Sequence, residues 1–266
     1  MPRLTRQFID GPYGQIHLRI AKPEAPAARP LLCLHMSPKS GRSFASFMEL
    51  ASDDRIIVAP DYPGYGESDH PPAEPYVTVP DYAKAMWAAA DALDLGPVDL
   101  LGYHTGSKVA AEMARQRPDD VKTIVMLSAS LFTAEELAKV SAYFEPIPLD
   151  EEGTRFSTMW ERIKHYRGPG MTLEMMAESM AENMRGGENY EWGHRAAFEY
   201  NKIFPDVVKD LPHRIRVINP GDDLFEQTAR IAPLLQNGDV SAKPEWGHGF
   251  LEAYTEDATA LIKSLL

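Results

Sequence analysis

The chain has 266 residues, a formal net charge of −12, and 44% hydrophobic and 25% charged residues, an ordinary balance for one larger α/β domain or two small ones. The acidic surplus would repel a phosphate backbone, so nucleic acid is not an expected partner. One cysteine, Cys33, permits no internal disulfide and fits a reducing compartment; inside the apolar run Leu31-Leu32-Cys33-Leu34 it reads as a small hydrophobe rather than a reactive thiol. Met1-Pro2-Arg3-Leu4-Thr5-Arg6 leads into no apolar leader segment and no stretch approaches membrane-spanning length, so no membrane partner is expected and the cytoplasm is the expected location.

Along the chain, residues 15–21 alternate with period two and predict a half-exposed antiparallel edge strand. Residues 30–35, 55–60, 98–102, 123–127 and 214–219 are continuous apolar runs, as buried parallel strands are, and a last short strand fits 240–244. Between them, 79–95 is helical, opened by Thr78 with Asp81 three residues on and closed by Gly96-Pro97. Further helices fit 105–117, ended by Pro118, then 227–236 and 254–265. This alternation predicts an α/β fold, a mostly parallel sheet with helices on both faces. Residues 131–205 break the rhythm: they hold no convincing strand, but carry Met159, Met171, Met175, Met176, Met180 and Met184 with Trp160, Tyr166, Trp192, Phe198 and Tyr200. Methionines at helical spacing fit plain packing; the position after the strand ending at Leu127 favours an apolar, adaptable lid over a strand-end pocket. The expected organisation is a core domain of residues 1–130 and 206–266 with a helical lid insertion at 131–205.

At the end of the 98–102 strand stands Gly102-Tyr103-His104-Thr105-Gly106, followed by a helix. Small–x–nucleophile–x–small on strand–turn–helix is the form of a nucleophile elbow, with a histidine where serine, cysteine or aspartate would stand. Four more motifs accompany it. Leu34-His35-Met36-Ser37-Pro38 is similar to a His-Gly-x-Pro oxyanion loop, and Asp61-Tyr62-Pro63-Gly64-Tyr65-Gly66-Glu67-Ser68 to an Asp-x-Pro-Gly-x-Gly-x-Ser loop. Asn219-Pro220-Gly221-Asp222-Asp223 follows a strand, and Trp246-Gly247-His248-Gly249-Phe250 lies near the C-terminus. In this order the motifs resemble the α/β-hydrolase superfamily across essentially the whole chain. The resemblance departs at two positions of the reacting centre, His104 at the elbow and Met36 where glycine is usual.

What the resemblance implies is an elbow–acid–histidine constellation. His248 is the base and Asp223 the acid that orients it; Asp223 is preferred over Asp222 because Asp223-Leu224-Phe225 leads into the next helix, while Asp222 fits a turn cap. The backbone N–H groups of Thr105 and Ser37 correspond to oxyanion donors, and Met36 is the neighbour able to shift the second. For His104 three roles stand open: direct attack on a carbonyl, a second base beside His248, or a binding group. Two adjacent imidazoles disfavour double protonation, so each is expected to lower the other's tendency to charge. His35 reads as loop packing and His70 as an exposed turn residue, while His165 and His194 lie in the lid segment within possible reach of substrate. No His/Cys/Asp/Glu set shows metal-ligand spacing, and the glycine turn at 64–66 leads into no helix that would cradle phosphate, so no metal and no cofactor are expected. The expected function is a cofactor-free hydrolase of a small, largely apolar carbonyl compound, an ester, lactone or related bond. The alternatives are a lyase or cofactor-free oxygenase on the same fold, or a ligand-binding homologue without catalysis.

Overall fold

In the computed structural model, which describes residues 4–266, the strands are β1 (Leu4–Gly11), β2 (Gly14–Ala21), β3 (Leu31–Leu34), β4 (Ile57–Pro60), β5 (Val98–Tyr103), β6 (Val121–Leu127), β7 (Arg214–Pro220) and β8 (Gly238–Lys243). They form one sheet in the order β1-β2-β4-β3-β5-β6-β7-β8. The β1–β2 and β2–β4 pairs are antiparallel and all later pairs parallel. Residues 1–3, which open both the expected core segment and the leader reading, lie outside the described residues.

Eleven α-helices are found among the described residues: α1 (Ala45–Ala51), α2 (Val79–Ala92), α3 (Thr105–Gln116), α4 (Ala134–Tyr143), α5 (Thr154–His165), α6 (Leu173–Arg185), α7 (Trp192–Tyr200), α8 (Phe204–Asp210), α9 (Phe225–Ala229), α10 (Phe250–Ala253) and α11 (Thr255–Leu265). Strand side chains alternate between two apolar layers, as period two requires. Leu32, Leu34, Leu100 and Ile124 pack with Ala83 and Met86 of α2 and Val109 and Met113 of α3. Leu31, Cys33, Leu101 and Val125 pack with Phe47 of α1 and with Phe250 and Ile262 of α10 and α11. Cys33 is fully buried there, as its apolar run implies. No helix among the described residues is long and apolar enough to cross a membrane.

Three elements differ from expectation. Residues 15–21 are not an edge: β2 is covered by β1 in continuous register from Leu4↔Ala21 to Gly11↔Gly14. That strand was missed because Thr5, Arg6, Gln7 and Phe8 are all exposed, which leaves no alternation to read. The helix expected over 227–236 ends at Ala229, and a 3₁₀ turn at Ala232–Leu234 holds Pro233, which has no N–H to continue an α-helix. The short helix α1 has no counterpart among the predicted elements.

Helices α4 to α7 lie between β6 and β7, and α8 straddles the expected boundary at 205. This segment touches the loop after β8: Arg167 forms an isolated parallel bridge with His248. The expected methionine lining is thinner than the composition suggested. Only Met159 and Met171 of the six reach the strand-end cavity, Met176 is buried and Met184 is exposed.

Candidate active site

The site grows from the turn between β5 and α3. His104 has φ 49° and ψ −109°, a strained backbone for a residue with a side chain, of the kind that costs about 1–3 kcal/mol. Its amide donates to Leu127 O at 2.8 Å and its carbonyl accepts from Ser107 N at 2.9 Å. The turn closes only because its flanks are glycine. A Cβ on Gly102 would stand 2.3 Å from Gly106 O, and one on Gly106 would stand 1.9 Å from Leu34 O. The imidazole is thereby held at the C-terminal ends of the parallel strands, where open α/β sheets place ligands.

Asp222 follows β7 and reaches the same spot. Its side chain is fully buried; Oδ2 accepts from His104 Nε2 at 2.9 Å and from Ser128 Oγ at 2.6 Å, and Oδ1 accepts from Leu224 N at 2.9 Å. Burial pushes its pKa up, but His104 and the Ser128 hydroxyl carry it down to about 2. An ionised Asp222 makes His104 Nε2 the donor, which leaves Nδ1 with the lone pair in the neutral ring. So Asp222 does cap the turn through Leu224, and it also holds the elbow imidazole.

Asp223 accepts from His248 Nε2 at 2.6 Å, the pairing expected for it. The ring centroids of His248 and His104 are 5.3 Å apart at 67°. Here the expected electrostatics are corrected. Burial lowers the His248 pKa, but the hydrogen bond to Asp223 and the charges of Asp223 and Asp222 outweigh that, and the pKa lies above the ordinary histidine value. Neighbouring carboxylates, not the neighbouring imidazole, set the direction. The Asp223 carboxyl, pushed up by burial, is brought below its ordinary value by His248.

Met36 and Ser37 line a cavity of about 140 Å³ together with His104, Asp223 and His248. Thr105 and Ser37 share an adjoining space of about 60 Å³ with His104 and Asp223. Thr105 is the first residue of α3, whose leading N–H groups have no acceptor within the helix. Larger depressions elsewhere carry none of the elbow, acid or His248 residues.

A family model of the α/β hydrolase fold matches residues 29–163. The chain belongs to the α/β-hydrolase fold family. It is 28% identical over 138 residues to a serine hydrolase-like protein of Danio rerio, covering 52% of this chain and 42% of that one. The match therefore spans less than half the length of that curated relative. An esterase structure from Exiguobacterium antarcticum superposes with a TM-score of 0.81 at 18% identity, covering 98% of this chain and 99% of that one. An N-acyl homoserine lactonase structure does so with a TM-score of 0.78 at 18% identity over 98% and 96%. At such identities the two structures establish the likeness of fold.

Within this α/β-hydrolase fold the other histidines divide cleanly. His35 is buried, with Nδ1 donating to Met36 O at 2.8 Å and Nε2 accepting from Tyr62 N at 2.9 Å; burial lowers its pKa to about 4, so it is a neutral packing residue, as expected. His70 is exposed and contacts Asn189. His194 lines both spaces beside His104, held by Glu191 at 2.5 Å, while His165 lines neither.

Several lining residues escaped the sequence patterns. Lys39 donates to Ser179 O at 2.8 Å and to Asn183 Oδ1 at 2.5 Å, tying the oxyanion-like loop to α6; burial lowers its pKa to about 8. Arg162 pairs with the buried Glu191 at 3.1 Å. The cavity is consequently more charged than an apolar lid implied. Proximity of Lys39 to the motif at 34–38 was a signal for it; Ser128, Arg162 and Glu191 stand in no recognisable motif.

Proposed function

We propose that this chain hydrolyses a small ester or lactone by general acid–base catalysis between two histidine–aspartate pairs, with α4 to α7 as the lid. The observation that carries the reading is the pairing itself. Two imidazoles, each held by its own carboxylate, stand with centroids 5.3 Å apart on the floor of a strand-end cavity.

With Nε2 committed to Asp222, His104 takes a proton from water at Nδ1 while the water oxygen bonds to the substrate carbonyl carbon. The carbonyl electrons move to oxygen, where the N–H groups of Thr105 and Ser37 receive the negative charge; a donor of this kind contributes about 3–4 kcal/mol to lowering the barrier. Collapse of the tetrahedral species breaks the bond to the alcohol oxygen, and His248, whose protonated form is favoured by Asp223, supplies the proton to it. The products are a carboxylic acid and an alcohol, or the ring-opened hydroxy acid of a lactone. A positioned acid or base contributes roughly 10²–10⁴ in rate. The cavity of about 140 Å³ is well below the ~300–1,000 Å³ typical of sites for drug-sized ligands, which favours short acyl chains. Esterase and lactonase names among the structures that share the fold agree with this class.

The test is turnover of p-nitrophenyl acetate, butyrate and decanoate and of short-chain lactones in EDTA, followed by intact mass after an acid quench. Turnover favouring the acetate, lost at least 100-fold in His248→Ala and without a mass adduct, supports the reading. An acyl adduct on His104 would replace water activation by direct attack. No turnover across the panel, with tight binding of an apolar carbonyl compound, would replace hydrolysis by ligand binding.

A further inference from the structure

We infer that His104, Asp222 and His248 also form a binding site for one divalent transition-metal ion. One ring nitrogen of each imidazole and one carboxylate oxygen of Asp222 all lie within 4.8 Å of one another. The three side chains come from the β5–α3 turn, the loop after β7 and the loop after β8, so no local spacing marks the set. The Asp222 side chain is sealed from solvent, and the two imidazoles are only slightly open, 12% of His104 and 19% of His248 being exposed.

The donor set is two imidazoles and one carboxylate, which suits Zn²⁺, Co²⁺, Ni²⁺ or Fe²⁺ rather than the all-oxygen shells of Mg²⁺ and Ca²⁺. Three protein ligands leave a fourth position open to the cavity, the arrangement of a reactive rather than a purely structural metal site. In a tetrahedral shell with bonds near 2.0–2.1 Å, neighbouring donor atoms are about 3.4 Å apart. The His104 Nε2–Asp222 Oδ2 contact of 2.9 Å then opens by roughly half an ångström, and His104 Nε2 gives up its proton to water on loading.

The surroundings supply what a metal site needs beyond its ligands. Ser128 Oγ donates to Asp222 at 2.6 Å and fixes the carboxylate. Asp223 accepts from His248 at 2.6 Å, the outer carboxylate that orients a ligating imidazole. Two carboxylates, Asp222 and Asp223, stand beside the two imidazoles, a donor set whose negative charge suits a divalent cation. Lys39, on the wall of the same cavity, is the opposing charge.

This inference rests on the same three side chains as the hydrolase reading but on no turnover. An ion replaces the His104 Nε2 proton and the bond to Asp222 that position the ring in the hydrolase reading, so the loaded and unloaded sites run different chemistry. The experiment uses untagged full-length protein stripped with EDTA and exchanged into chelator-free buffer. Zn²⁺ is titrated calorimetrically, and Co²⁺ is followed by its visible absorption. Saturation at one ion per chain is expected, with affinity at least tenfold weaker in His104→Gln and in Asp222→Asn. The exposed control His70→Ala should stay within twofold, and circular dichroism should show each variant folded. An absence of saturable binding by the wild type overturns the inference, as does affinity unchanged in both site variants. Ester turnover in EDTA without metal binding would sink this inference alone; metal binding without turnover on any substrate would sink the hydrolase reading alone.

Discussion

The two histidine–aspartate pairs sit side by side yet are built to different standards. Asp222 has no exposed side-chain surface and holds three donors, from His104, Ser128 and Leu224. Asp223 is 32% exposed and faces one side-chain donor, His248, on a loop bridged to the helical insertion through Arg167. The first pair belongs to the rigid floor, where a strained turn and buried carboxylate fix each other. The second borders the cavity and the insertion, where its ring is partly open to solvent. The difference teaches that burial alone can divide two chemically identical dyads into a sealed pair and one open to the cavity.

The largest expected effect breaks the scaffold under both pairs. Gly106→Ala would put a Cβ 1.9 Å from Leu34 O, backbone that cannot step aside, and little soluble folded protein is expected on expression. Next, the pairs should separate in kind. Asp222→Asn removes the charge from a fully buried carboxylate, and urea denaturation should show a loss of about 3 kcal/mol. Asp223→Asn acts at a partly exposed pair and should cost under about 1 kcal/mol, while still lowering kcat at least tenfold. Equal stability losses in the two variants would erase the contrast.

Acid sharpens the same comparison. Asp222 has a folded pKa of about 2, below the ordinary aspartate value, so its contribution is complete above about pH 4 and disappears as pH falls toward 2. That contribution is on the order of 2 kcal/mol, and melting temperature should drop over this window less steeply in Asp222→Asn. His248 has the opposite sign. Its raised pKa contributes stability fully present below its unfolded pKa and lost as pH rises through the folded value, and activity should decline along that same alkaline limb. The smallest effect is Ser128→Ala. One donor to Asp222 is removed, with an expected loss of about 1 kcal/mol and less than a tenfold change in kcat.

The frame was legible in the residues because its turns need particular chemistry. Glycines at 102 and 106, the loops at 34–38 and 61–68, and continuous apolar runs locate β3 to β7 and the elbow between them. Illegible parts share a cause, dependence on partners distant in the chain. β1 carries no periodic signal because five of its eight residues are exposed, none is buried, and it is organised by pairing with β2. The doublet Asp222-Asp223 marked an acid, but only the fold shows that each carboxylate takes a different histidine. The direction of the His248 shift was misjudged for the same reason, since an imidazole was weighed against an imidazole before either carboxylate could be placed. Four of the six methionines of residues 131–205 do not line the cavity, and the charged groups Lys39, Arg162 and Glu191 that line it stand in no motif.

The division of labour between the pairs is tested most directly by kcat/KM for p-nitrophenyl acetate in EDTA, measured for the wild type, His104→Ala, His248→Ala and the double variant. Base and acid acting in one step predict a loss of at least 100-fold in each single variant and a double variant little worse than the poorer single. Wild-type turnover retained in either single variant, or losses that simply multiply in the double, would contradict two imidazoles working as one unit.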